Sequence, residues 1–198
     1  IVWDLLRRQV SRTQSYVCHF ALVEFNLIMD GLANENTREL RHANKELKKE
    51  QDMLKKFRRQ EMLGLKRSPL EIAIERNTWF HLGINSSEQY IYCLRRILEP
   101  IKEHVDNNFN PLSRECIEEI LPVKKKIVDY LMRSERIVED RDYEHIDALL
   151  PDQGLQLLRV DVAGAQLLQR CLLARGVIFL CHELPPVLLL RLSFSPAG

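Results

Sequence analysis

Apolar side chains recur every three to four positions through the first three-quarters of the chain, the spacing of one face of a helix. Tyr16, Phe20, Val23 and Leu27 fall at i, i+4, i+7 and i+11, which predicts a first helix from about Val2 to Leu32. Asp30-Gly31 and the polar Asn34-Glu35-Asn36 read as its end. A second helix is predicted from about Thr37 to Leu63, with Leu40, Ala43, Leu47, Leu54 and Phe57 as a thin apolar stripe. The rest of it is almost solidly charged, which places it on the outside of a bundle or projecting from one. Gly64 reads as its stop.

Ser68-Pro69 reads as an N-cap followed by proline at the first helical position, with Glu71 completing a capping box. From there to about Phe109 the apolar pattern runs on, interrupted only by Pro100, which is expected to kink it. At about 1.5 Å per residue such a helix approaches 60 Å. One face carries Ala73, Phe80, Ile84, Ile91, Leu94, Leu98, Ile101 and Val105, and a second carries Trp79, Tyr90 and Ile97. So wide an apolar arc predicts the central helix, and Gly83 and Ser86 offer room for a neighbouring backbone. After a turn at Asn107–Pro111 comes another helix, from about Ser113 to Ser134, broken or restarted at Pro122. Its expected apolar side is Leu121, Val128, Leu131 and Met132. The acidic stretch Glu139–Asp147 leads into a short last helix.

The chain changes character after about Leu149. The last lysine is Lys126, leucines crowd together, and charge alternation stops. Residues 149–198 are either an apolar packing segment or an out-of-frame translation. The expected division is a helical domain at 1–148 and an atypical tail at 149–198.

Composition narrows the function classes. Hydrophobic residues at 45% and charged residues at 29% suit a folded soluble domain. A formal charge of +1 gives no global pull toward nucleic acid or membrane. Five scattered cysteines, none in CxxC spacing, point to reduced thiols and away from a zinc site. The best candidate membrane span, Ser15–Leu32, carries His19, Glu24 and Asp30, so no spanning helix is expected. With no initiator methionine and no signal peptide, Ile1 reads as a chain entered midway.

Candidate chemistry is sparse. No HExxH, P-loop, GxGxxG or GxSxG occurs, so no enzyme is expected. Asn77, His81 and Asn85 share one helix face, a hydrogen-bonded line inside a bundle or a seam gripping a ligand. Glu99, Glu103, His104 and Asp106 form an acidic helix end, a solvated turn before it is a divalent-ion site. Asp140 and Glu144 share a face but supply only two ligands, so the expectation is no cofactor, with a divalent metal as the lesser reading. The basic run Lys45–Arg67 includes Lys48, Lys49, Lys55, Lys56, Arg58 and Arg59. It is a solvated face or a face for an anionic partner, either RNA or a membrane's inner leaflet.

The phrases Lys55–Arg67, Ala73–Leu82, Tyr92–Arg96 and Glu99–Pro111 resemble the C-terminal cytosolic region of Bacteroides-type PiT-family inorganic phosphate transporters. The resemblance spans roughly Tyr16–Asp147, and that region is similar to PhoU, an antiparallel helical bundle. It implies an all-α fold and a regulatory or scaffolding domain on the cytoplasmic face of the inner membrane. The cation-coupled symport itself would belong to membrane helices upstream of Ile1. Implied partners are that membrane domain and anionic lipid, with a homo-oligomer possible in principle and no nucleic acid. PhoU-type acidic E(D)xxxD motifs are matched here only by Asp140 and Glu144, with glutamate in the last place, and the tail departs from the family. The alternative is a free-standing helical protein- or RNA-binding module.

Overall fold

A computed structural model describes residues 2–66 and 69–140. Four helices follow one another: α1 (Val2–Ala33), α2 (Thr37–Leu65), α3 (Leu70–Asp106) and α4 (Arg114–Asp140). Among the described residues there is no strand. Cross-helix pairs fix the directions. His19 meets Glu135 and Asp30 meets Lys124, so α4 runs against α1. Gln14 meets Gly83 and Cys18 meets Tyr90, so α3 runs with α1. Arg58 meets Glu88 and Arg95 meets Gln51, so α2 runs against α3. The fold is the expected all-α antiparallel bundle of long helices.

The helix ends follow local chemistry. Asn36, expected to close α1, instead caps α2: its Oδ1 accepts from the Arg38 and Glu39 amides at 3.1 and 3.4 Å. Glu35, at φ 49°, makes the left-handed turn between the two helices. Gly64 does not stop α2, which continues to Leu65. Pro69, expected inside α3, is its N-cap and makes no side-chain cap bond. Its carbonyl accepts the first helical bond from Ala73 at 2.8 Å. Ser113 caps α4, its Oγ accepting from the Cys116 amide at 3.3 Å. Pro122 sits within a continuous α4 and does not break it.

The core corrects three sequence expectations. The central helix is α1, which packs against α2, α3 and α4, whereas α3 packs against α1 and α2. Moreover, α1 buries Val17, Cys18, Ala21, Phe25, Ile28, Met29 and Leu32, while Tyr16 and Val23 are 49% and 47% exposed. The Tyr16–Leu27 stripe has the right period but lies at the edge of the core, with Phe20 and Leu27 half-buried. A helix with three neighbours carries two apolar stripes, and spacing alone does not rank them. In the same way α4 buries Ile120, Val123, Ile127, Leu131 and Val138, and leaves the expected Leu121 and Met132 exposed.

By length and mean hydropathy (1.2), Ser11–Ala33 reaches the dimensions of a membrane span, which the sequence reading did not expect. Half of that window is buried within the bundle, with Gln14 and Glu24 among its buried residues. A core helix with three neighbours needs the same composition.

Gly31 was read as a helix stop, yet it lies inside α1. Its role is close approach: a Cβ there would stand 2.7 Å from Leu40 Cδ2 and 2.9 Å from Leu40 Cγ. Leu40 is fully buried and has little room to yield. Gly31→Ala is therefore expected to destabilise the domain by about 1–3 kcal/mol despite the better helix propensity of alanine. Urea denaturation checks this, and an unchanged or raised midpoint would refute the tight α1–α2 contact.

Candidate docking face on helix α2

Helix α2 sorts its side chains into three stripes. Leu40, Ala43, Leu47 and Leu54 enter the core, and Phe57 leans on Phe80 with ring centroids 5.7 Å apart. His42, Glu46 and Glu50, at i, i+4 and i+8, run along the border with α1. Facing away from the bundle are Lys45, Lys48, Lys49, Asp52, Met53, Lys56 and Arg59, all exposed. The first six of that outward set line a shallow trough of about 460 Å³.

Of the six cations singled out from the sequence, Lys48, Lys49, Lys56 and Arg59 belong to this outward region, while Lys55 lines the groove toward α3 and Arg58 turns inward. Lys49 pairs with Glu46 at 3.3 Å and Lys55 with Asp52 at 3.6 Å, both exposed contacts of small energetic weight. Lys48, Lys56 and Arg59, together with Lys45, have no carboxylate within 4.0 Å among the described residues. Arg58 turns inward instead. Its Nη2 donates to Glu88 at 2.8 Å and to Asn85 at 3.5 Å, tying α2 to α3. It pairs across the α2–α3 seam and is not part of the free basic face.

The other candidates separate as well. Asn77 is half-buried, while His81 and Asn85 are exposed, so the polar seam lies on the surface and not within the bundle. The acidic end of α3 is knit into ion pairs. Glu99 meets Arg95, and Asp106 meets Lys102 and Arg41. The Lys102 hydrogen bond holds the Asp106 carboxyl below its usual range. Asp140 is the exposed last residue of α4, and Glu144 lies outside the described residues, as do the 148/149 boundary and the tail. Among the described residues no three His, Cys, Asp or Glu side chains converge on a metal position.

A second concavity, of about 660 Å³, lies between α2 and α3. Its cations are already engaged. Arg95 donates to Gln51 at 2.8 Å and lies 3.6 Å from Glu99, and Arg96 donates to the Tyr92 hydroxyl at 2.8 Å. The groove is stitched by its own lining and presents no open charge.

The sequence reading missed the α1–α2 border. Tyr16 and Glu24 face His42, Glu46 and Glu50 there. The Tyr16 hydroxyl donates to Glu50 Oε2 at 3.1 Å. Glu24 is 4% exposed, and its Oε2 has no hydrogen-bond partner among the described residues. Burial pushes its carboxyl up to about 7, Glu46 pushes the same way, and His42 opposes both. Burial also raises Glu50, against the pull of the Tyr16 hydrogen bond and Lys49. The available signal was the i, i+4, i+8 spacing of His42, Glu46 and Glu50, but it reads equally well as a solvated face. Cys18 is a spectator, because burial lifts its thiol to about 11, beyond the range of a reactive thiolate.

No family model, no curated protein and no solved structure matches this chain. The chemistry of the face therefore carries the functional argument. It offers a run of outward cations on a helix face about 20–30 Å long, which suits docking to an anionic surface.

Proposed function

We propose that this chain is a regulatory or scaffolding domain of a cation-coupled inorganic phosphate transporter. In this reading it is a PhoU-like bundle that packs beneath the membrane part at the cytoplasmic face. The transporter part rests on the resemblance of Lys55–Arg67, Ala73–Leu82, Tyr92–Arg96 and Glu99–Pro111. The docking part rests on one observation: Lys45, Lys48, Lys56 and Arg59 point outward from α2 without carboxylate partners. Cations held this way lose little on meeting anionic headgroups, and each contributes about 1 kcal/mol near such a surface.

Neutralising three of them, in Lys48→Gln/Lys56→Gln/Arg59→Gln, is expected to weaken binding to phosphatidylcholine vesicles containing phosphatidylglycerol by about tenfold or more. Arg58→Gln should instead act on stability. Co-sedimentation at two salt concentrations is the measurement, and unchanged binding of the triple variant would remove the docking part. The transporter part is tested by the coding DNA, where membrane-spanning segments are expected in frame ahead of Ile1. A free-standing protein-binding module is the second reading. It is favoured by the Tyr16 and Phe20 rings, which stack 6.3 Å apart beside the exposed Val23. A start codon close to Ile1 would support it.

A further inference from the structure

We infer that the end of the α2–α3 hairpin is an apolar wedge that enters an anionic lipid surface. The inference rests on the docking reading above and adds to it which side chains leave water. Large hydrophobic side chains crowd this end. Met62 and Leu63 on the last turns of α2 are 48% and 61% exposed, and Leu70 and Ile74 on the first turns of α3 are 76% and 62% exposed. Single exposed apolar residues are ordinary, but four on the turns flanking one helix connection ask for a partner.

The charge around the patch selects the partner. Between Lys55 and Arg76 the sequence places seven cations against three anions. Lys56, Arg59 and Lys66 are exposed and have no carboxylate within 4.0 Å among the described residues. Exposed apolar side chains in a stretch so rich in lysine and arginine fit the boundary between headgroups and acyl chains. There the apolar groups leave water while the long cationic stems keep their charges at the phosphates. The outward α2 stripe, with Met53 among its lysines, continues this chemistry along the helix. A stable protein partner fits less well, because such interfaces bury roughly 800 Å² on each side and four side chains offer far less.

The first test places a photo-crosslinking p-benzoylphenylalanine at Leu70 in the full chain, with vesicles of phosphatidylcholine and phosphatidylglycerol. A lipid adduct is the expected product. Crosslinks to a second copy or to residues 141–198 in place of lipid would overturn the wedge. The second test uses Leu63→Ser/Leu70→Ser/Ile74→Ser, whose fold circular dichroism should show intact, since all three sites are exposed. Its vesicle binding is expected to fall about tenfold, and what remains should vanish in 0.5 M salt. The parent chain should keep a salt-resistant fraction. Equal binding of parent and triple-serine variant at both salts sinks the wedge and leaves the basic-face reading standing. A parent chain that ignores the anionic vesicles sinks both.

Discussion

Replacing Phe25 by alanine is expected to cost about 3–5 kcal/mol of folding free energy, the range for deleting a fully buried aromatic side chain. Phe25 is 0% exposed, on the one helix that packs against all three others, so the cavity opens where collapse is hardest. A loss of that size is a large share of the roughly 5–15 kcal/mol that holds an ordinary domain together. Val23, two residues away, is 47% exposed, and Val23→Ala should cost under about 1 kcal/mol. Urea titration of the two variants measures which stripe of α1 is the core. If Val23→Ala is the more damaging, the Val23 stripe of α1 faces the core in place of the Phe25 stripe.

The second large effect is a dependence on pH centred on Glu24. Its folded-state carboxyl is raised to about 7, against an ordinary value of 4.5. Below about pH 4.5 the carboxyl is protonated in both the folded and the unfolded chain and imposes no penalty. Between 4.5 and 7 the unfolded chain releases the proton and the folded chain keeps it, so stability falls as pH rises. Above 7 the folded chain carries a buried carboxylate and the loss is complete. Glu50, also raised, acts in the same direction. Glu24→Gln should remove most of the dependence. Relative to that variant, the parent chain is expected to lose about 1–3 kcal/mol between pH 4.5 and 8. Urea midpoints that move in parallel for the two proteins would show that Glu24 is solvated and ionised throughout.

The four long helices and their order were legible in the residues themselves, because a 3.6-residue period and the local stops at Asn34–Asn36 and Asn107–Pro111 depend only on near neighbours, while the short last helix expected within 139–147 lies almost wholly outside the described residues. The outer place of α2 was equally plain, since a helix with so narrow an apolar stripe can bury only one side. The basic face was visible as composition. Its division was not: Lys48 and Arg58 are alike in sequence, and only the approach of α3 makes Arg58 a partner of Glu88 and leaves Lys48 open. Gly31 looked like a stop because spacing along one chain carries no information about Leu40 pressing on it from the next helix.

The amino-acid sequence by itself determined four long rods and the charge that one of them would carry outward, since both follow from which side chains recur at which interval. The tertiary structure decided which stripe of α1 and of α4 faces inward, and which cations are left without carboxylates. It also decided that Glu24 is stranded between two helices. These depend on how each rod is rotated about its own axis, and that rotation is set by the fit of neighbouring side chains across the bundle, which no single helix encodes.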